Sequence, residues 1–265
     1  MKKLLSLFLL IVLFSQAQSQ TIVGRQNVDQ YPITASGTLT YGLTWLPPNY
    51  ATSTRSYPLI IFLHGSGETG TGTASLTRLL NAGIPKLISN GWNATAVNPR
   101  TGIRDSFIVV SPQAAGWSYN YTSLKHILPN IISRYRVDET RIYLTGLSAG
   151  GGGTFTVLGS NDSLFTRKFA AMATSSSAEV DGVNGYSYTQ VEAQLRNAKR
   201  DNVHVWTVTG EQDYLQTTGI RYHDSTNKLN PAIPNKLTNI ATLAHSTWNR
   251  QYDTAFRPTL NYYGN

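Results

Sequence analysis

Apolar residues in this chain form short continuous runs separated by longer amphipathic stretches. A half-exposed strand is predicted at 37–46, where apolar and polar residues alternate. Runs rich in β-branched and aromatic residues predict buried strands at 57–63, 107–111, 142–147, 169–173 and 203–209. Helical periodicity is found between them, at 76–90 with a break at 83–85, at 122–135 with a kink at Pro129, and around 191–198. Strands separated by helices at this rhythm predict an α/β fold: a mostly parallel, doubly wound sheet with helices on both faces.

The first 20 residues do not fit this pattern. Lys2 and Lys3 precede an apolar run at 4–14, and small residues suited to cleavage follow at 15–19. This arrangement is typical of a secretory signal peptide, and eleven apolar residues are too few to span a bilayer. We therefore predict a signal peptide at 1–20 and one domain at 21–265, with no membrane span in the mature chain and a secreted or periplasmic location.

Composition narrows the classes of function. The chain has no cysteine, which excludes disulfides and thiolate catalysis. Its formal net charge is +8, or +6 without Lys2 and Lys3, and no run of Lys or Arg is typical of a phosphate-binding stripe. The sequence therefore does not predict a nucleic-acid interface.

The strand predicted at 142–147 leads directly into Gly-x-Ser-x-Gly at 146–150, and a helix is plausible at 153–160. Strand, sharp turn and helix are what a nucleophile elbow requires, and the elbow would expose the Ser148 hydroxyl. Chance matches to the motif occur in roughly one chain in ten of this length, so the motif depends on its context. Here the context agrees with it.

A second loop at the carboxyl end of a strand is rich in glycine. Residues 64–70 offer backbone N–H groups that, together with the N–H of Ala149, predict an oxyanion hole. The alternative, a phosphate loop, would require a Gly-Lys-Ser/Thr ending, which is missing. We expect His64 to brace this loop and not to act as a base.

An acid and a base are expected later in the chain. Asp213 lies three residues after the glycine that ends the strand at 203–209, and it is a better candidate than Asp201 or Asp224. His245 is favoured over His223 because residue 223 falls in a predicted helix. The order Ser, Asp, His is the order expected for a triad on this sheet architecture.

At this point the chain resembles exported α/β-hydrolases of the polyhydroxybutyrate-depolymerase-like and feruloyl-esterase-like branch, and it is similar to the phospholipase/carboxylesterase group. The resemblance is carried by Leu-Pro-Pro-Asn-Tyr at 46–50, Leu-His-Gly-Ser-Gly-Glu at 63–68, the stretch 135–151 and His-Ser-Thr-Trp at 245–248. The resemblance implies Ser148 as nucleophile, Asp213 as acid, His245 as base, the backbone N–H groups of Ser66 and Ala149 as oxyanion donors, and no metal or cofactor. One departure is that the family usually closes with a helix after the histidine loop, whereas only 20 residues follow His245 here and 257–265 looks non-helical.

Together these features predict an exported serine esterase whose partner is an ester substrate, either polymeric or small. Esters on polysaccharides and short polyesters are the favoured classes. Aromatic residues near the expected site could stack on rings of a substrate or simply pack against loops; they are Trp117, Tyr119, Tyr121 and Trp248. The hydroxyls at 174–177 could line a pocket, but a solvated loop is favoured because Ser and Thr are common in turns. A serine peptidase on the same fold and a non-catalytic polysaccharide-binding relative are the two alternatives.

Overall fold

The computed structural model describes residues 20–32, 39–98, 101–116, 119–160, 162–178, 203–228 and 234–252. Residues 1–19 of the predicted signal peptide, the predicted helix at 191–198 and the tail at 257–265 lie outside the described residues. None of the helices in the described part of the chain is long and apolar enough to cross a lipid bilayer.

Eleven strands are described, and nine of them form one sheet. In chain order they are β1 (Ile22–Val23), β2 (Gln26–Gln30), β3 (Leu39–Trp45), β4 (Tyr57–Leu63), β5 (Thr95–Val97), β6 (Arg104–Ser106), β7 (Ile108–Ala114), β8 (Val137–Leu147), β9 (Ala171–Ser175), β10 (His204–Gly210) and β11 (Lys236–Ile240). The spatial order is β1-β2-β3-β7-β4-β8-β9-β10-β11, while β5 and β6 pair separately. Pairing is antiparallel from β1 to β7 and parallel from β7 to β11, which confirms the prediction of a mostly parallel sheet.

The described α-helices cover both faces of this sheet. They are α1 (Gly83–Ser89), α2 (Tyr121–Arg134), α3 (Ala149–Leu158), α4 (Ser163–Thr166), α5 (Gln216–Asn227) and α6 (Trp248–Tyr252). One apolar cluster joins alternate residues of β4, β7, β8, β9 and β10 to α2, α3 and α5. A second cluster joins the other face of the central strands to α1 and α6. The fold is therefore doubly wound, as the alternation of strands and helices predicts.

The strand predicted at 107–111 continues through Pro112. β7 continues to Ala114, and Pro112 pairs with Gly42 of β3. On the other side of β7, the register with β4 ends at Val110. A proline beyond that point interrupts no hydrogen bond to β4, which is how a strand in the middle of a sheet can tolerate it.

Other elements also differ from the sequence prediction. The amphipathic stretch predicted at 76–90 is a 3-10 helix at Thr73–Asn81 followed by α1, and the break is at Ala82 and Gly83, where Gly83 has a φ of 62°. The strand β11 was not predicted, because its residues Lys236–Ile240 are mixed in polarity and only partly buried.

Candidate active site

The carboxyl ends of β4, β8 and β10 meet at one edge of the sheet. β4 leads into the loop at 64–70, β8 into Ser148, and β10 into the turn that carries Asp213. Loops at this edge of a parallel sheet commonly carry catalytic and binding residues. The three predicted groups therefore reach the same place although they are far apart in sequence.

Ser148 lies on a strained turn between β8 and α3. Its φ of 50° and ψ of −116° are unusual for a residue with a side chain. The turn is possible because strand and helix backbones pass very close: a Cβ on Gly146 would lie 2.3 Å from the carbonyl oxygen of Gly150, and one on Gly150 would lie 2.1 Å from that of Leu63. This is the geometry expected of a nucleophile elbow. α3 starts directly at Ala149, four residues before the predicted start.

A chain of hydrogen bonds joins the predicted nucleophile, base and acid. Nε2 of His245 lies 3.0 Å from Oγ of Ser148, and Nδ1 of His245 lies 3.0 Å from Oδ1 of Asp213. With the imidazole proton on Nδ1, His245 donates to Asp213 and accepts from the Ser148 hydroxyl. The structure thus brings together Ser148, Asp213 and His245, whose catalytic roles stay predictions.

The Asp213 carboxyl is fixed by its surroundings. Its side chain is buried, and Oδ1 also accepts a hydrogen bond of 2.9 Å from the Leu215 N–H. Burial acts to raise the pKa of Asp213, but the hydrogen bond from His245, together with the Ser176 hydroxyl and the Leu215 N–H, keeps that pKa below its usual value. The carboxylate is therefore ionised at neutral pH and can stabilise a positive charge on His245.

The loop at 64–70 lies against the elbow. A Cβ on Gly65 would lie 3.5 Å from Cβ of Ser148. The Gly65 N–H donates to Oε2 of Glu68 at 2.9 Å, and a short 3-10 helix runs from Ser66 to Glu68. Since the first N–H groups of a helix have no acceptor within it, Ser66 and Ala149 both begin segments whose N–H groups are available to a ligand. Their role as oxyanion donors stays a prediction.

His64 braces this loop, as expected. Its Nε2 accepts from the Ala114 N–H at 2.9 Å, and its Nδ1 lies 2.6 Å from the Gly65 carbonyl oxygen, to which it donates. The residue is 1% exposed, and burial lowers its pKa to about 4. The imidazole is therefore neutral and holds β7 and the glycine-rich loop together.

The alternative acid and base lie elsewhere. His223 and Asp224 are on α5, where Nδ1 of His223 is 3.1 Å from Oδ1 of Asp224 and Nε2 is 3.1 Å from the Asn235 carbonyl oxygen. Asp201 lies outside the described residues. The structure therefore brings Asp213 and His245, and not His223, to Ser148.

A buried cluster of hydroxyls supports the histidine segment. The sequence prediction of a solvated loop at 174–177 is wrong, because Thr174, Ser175, Ser176 and Ser177 are all fully buried. The Thr247 hydroxyl lies 2.8 Å from that of Ser175 and 2.6 Å from that of Ser176. These contacts fix the segment that carries His245. Ser and Thr are also typical of turns, so composition alone did not reveal this role.

Two aromatic rings enclose the His245 imidazole. The Tyr214 ring lies 4.6 Å from it, centroid to centroid, at 38°, and the Trp248 ring lies 5.2 Å away at 89°. Trp248 is partly buried in the second apolar cluster, whereas Tyr214 is 77% exposed. Tyr214 was not singled out from the sequence, although it is adjacent to Asp213.

The other predicted aromatic contacts have different outcomes. Tyr119 is 1% exposed, and its hydroxyl accepts from the His64 N–H at 2.8 Å, so it is part of the core. Tyr121 packs partly buried against the first apolar cluster. Trp117 lies outside the described residues.

A cavity of about 830 Å³ lies elsewhere, on the sheet face covered by α1 and α6. Its walls are largely apolar and include Trp92, Val97, Phe107, Tyr143, Trp206 and Tyr252. Ser148, Asp213 and His245 do not line it. The candidate site is defined by the hydrogen-bonded side chains at the strand ends and not by this cavity.

The side chains at this site can carry out chemistry of their own. Among the described residues, no group of three His, Cys, Asp or Glu is placed to hold a metal ion. A serine hydroxyl bonded to a histidine, which is in turn bonded to a buried carboxylate, can lose its proton as it attacks a carbonyl carbon. The arrangement fits nucleophilic acyl transfer.

Comparisons with known proteins identify the family and the fold of the chain. The family model Esterase matches residues 40–261, and no curated protein matches the chain. A ferulic acid esterase of known structure is 18% identical with a TM-score of 0.58, and the alignment covers 89% of this chain and 96% of that one. An S-formylglutathione hydrolase from Staphylococcus aureus is 14% identical with a TM-score of 0.60, covering 89% and 98%. The feruloyl esterase module from Clostridium thermocellum, in complex with sinapinate, is 14% identical with a TM-score of 0.53, covering 91% of each chain.

At such identities the solved structures establish the fold, which is that of α/β-hydrolases, and the family model establishes the family. The chain therefore belongs to the Esterase family and has the α/β-hydrolase fold that feruloyl esterases share.

Proposed function

We propose that the protein is an exported serine esterase that hydrolyses carboxylic esters through an acyl-enzyme intermediate. Ser148 is the nucleophile, His245 the general base and acid, and Asp213 the acid of the triad. The observation that carries the proposal is the pair of 3.0 Å contacts that links the three side chains at the strained turn of Ser148. Membership of the Esterase family supports the same reaction class.

In the first half of the reaction, Oγ of Ser148 attacks the ester carbonyl while Nε2 of His245 takes its proton. The C–O bond to the alcohol then breaks, and His245 returns the proton to the leaving oxygen. Water then attacks the acyl-enzyme while His245 again acts as the base, which releases the acid and restores Ser148. Asp213, ionised because of its lowered pKa, holds the imidazole in the required tautomer and stabilises its protonated form.

The negative charge that develops on the carbonyl oxygen needs donors. The backbone N–H groups of Ser66 and Ala149 are assigned this role, since both residues begin helical segments beside Ser148. Loss of one such donor costs about 3 to 4 kcal/mol of transition-state stabilisation. The bond from Gly65 to Glu68 supports the loop conformation that presents Ser66.

The proposed substrates are esters of extracellular polymers, either acyl groups on polysaccharides or short polyesters. Export is supported by the lysines and apolar run of residues 1–20. The likeness to a ferulic acid esterase and to a feruloyl esterase module supports hydroxycinnamoyl esters as the first substrates to test. The proposed mature chain begins near residue 21, and mass spectrometry of the exported protein would show this cleavage.

The test is hydrolysis of a panel of p-nitrophenyl esters and methyl hydroxycinnamates by the mature chain, with Ser148→Ala as the matched variant. We expect turnover by the wild type and a loss of about 10³-fold or more in kcat for Ser148→Ala. A fluorophosphonate probe should label the wild type alone. Faster cleavage of an amide than of the matching ester would favour a peptidase. Equal inertness of both proteins, with no labelling, would contradict the proposal and favour a polysaccharide-binding protein.

A further inference from the structure

Tyr214 is the only exposed Phe, Tyr or Trp side chain in the described part of the chain. It follows the triad acid directly, and 77% of it is accessible to solvent. Its ring nevertheless contacts the His245 imidazole, with centroids 4.6 Å apart and an angle of 38° between the planes. One side of the ring is therefore occupied by the base, and much of the rest is open at the candidate site.

The proposed reaction determines which half of the ester, the acyl group or the alcohol, lies beside the Tyr214 ring. Nε2 of His245 must give its proton to the oxygen of the leaving alcohol, and proton transfer requires a separation of about 3 Å. The first atoms of the alcohol must therefore lie beside the imidazole during C–O cleavage. A ring that contacts the imidazole is a neighbour of the alcohol half of the substrate.

The two rings around His245 are suited to different tasks. Trp248 meets the imidazole edge to face and is packed into the second apolar cluster, so it supports the base from inside the protein. Tyr214 has no comparable burial and presents a planar apolar surface with a polar tip. Such a surface suits another ring, either aromatic or the apolar face of a sugar.

We propose that Tyr214 is a specificity-determining residue that stacks on the alcohol half of the ester and favours alcohols that carry a ring, such as sugars. This rests on the proposed esterase function and extends it from the acyl group to the alcohol. In this role Tyr214 touches the substrate and also contacts the base.

The experiment compares two esters of one hydroxycinnamic acid, the methyl ester and the ester of a pentose, in the wild type and in Tyr214→Ala and Tyr214→Phe. For Tyr214→Ala, we expect kcat/KM for the pentose ester, relative to the methyl ester, to fall about 3- to 10-fold, mainly through KM. Tyr214→Phe keeps the ring and should keep the wild-type ratio. Leu164→Ala is the matched control, since Leu164 is 81% exposed on α4, which precedes the amino end of β9 at the opposite edge of the sheet.

Each outcome has one meaning. Equal losses on both esters would show that Tyr214 only positions His245, and an unchanged ratio with unchanged rates would show that it contacts neither half of the substrate. Both results would overturn this inference and leave the esterase proposal standing. A wild type that cleaves neither ester, and no ester of the wider panel, would overturn both.

Discussion

Replacement of His64 by glutamine should make the stability of the fold less sensitive to acid. His64 is buried and neutral, and its pKa is lowered from 6.5 to about 4 by burial. The unfolded chain therefore binds a proton at this residue at a higher pH than the folded protein does. As the pH falls below 6.5 the unfolded state is favoured, and the full loss of stability is reached near pH 4.

The size of the effect follows from the shift. One pKa unit corresponds to about 1.4 kcal/mol, so His64 removes about 3 kcal/mol from the free energy of unfolding between pH 7 and pH 4, and about 2 kcal/mol by pH 5. Other groups titrate in the same range, but they are shared by the wild type and the variant. The difference between the two pH profiles isolates His64.

The measurement is urea unfolding of the wild type and His64→Gln at pH 7, 6, 5 and 4. Glutamine can still donate to the Gly65 carbonyl and accept from the Ala114 N–H, so the variant is expected to fold, with lower stability at pH 7. It should then lose about 3 kcal/mol less than the wild type on acidification. His126→Gln, at an exposed position of α2, is the control for the removal of a histidine. Parallel profiles for His64→Gln and the wild type would refute the reasoning.

Three further changes test the candidate site. Gly150→Ala should lower the free energy of urea unfolding by about 3 kcal/mol or more, because the new Cβ would lie 2.1 Å from the Leu63 carbonyl oxygen. The control is Gly72→Ala, whose Cβ would meet nothing within 4 Å and which should change stability by less than about 0.5 kcal/mol. Equal effects of the two substitutions would contradict the close packing at Gly150. Thr247→Val should cost about 1 to 3 kcal/mol and lower kcat, since two buried serine hydroxyls each lose a hydrogen-bond partner. Thr247→Ser keeps the hydroxyl and should retain most of the stability and of kcat. Asp213→Asn should lower kcat about 10³- to 10⁴-fold with little change in KM, because an amide can donate to Nδ1 and favour the wrong tautomer; retention of activity within tenfold would exclude Asp213 as the triad acid.

The parts of the fold that the sequence predicts well are those with strong local signals. The strand at Tyr57–Leu63 agrees with its prediction residue for residue, because a continuous apolar run is bounded by polar and glycine residues. The turn at Ser148 is also local, since its glycines, strand and helix are contiguous. Errors in the prediction arise where pairing with a neighbouring strand decides whether a segment forms a strand. Pro112 stays inside β7 because the pairing of β7 with β4 ends at Val110. β11 forms beside β10 although its own residues have only weak strand character.

The candidate site also has residues that the sequence predicts and contacts that it does not predict. Asp213 and His245 could be selected from their order in the chain and from the strand that precedes the acid. The contacts that fix them could not, because they join residues distant in sequence: the Thr247 hydroxyl reaches serines 71 and 72 positions away. No sequence pattern pointed to Tyr214. A single tyrosine in a polar turn looks like any surface tyrosine until the position of His245 is known.

The segment Ser175–Ala178 explains why Ser148 and His245 keep a constant position relative to each other. Its backbone holds the elbow on both sides, because the Ser148 N–H donates to the Ser175 carbonyl oxygen at 2.9 Å and the Ala178 N–H donates to that of Ser148 at the same distance. Its side chains hold Thr247, two residues after His245. A strained turn persists only when its surroundings fix it, and the same surroundings here also fix the histidine. Burial of these serines is therefore a requirement of the candidate site, because a solvated loop could not hold Ser148 and His245 at a constant distance.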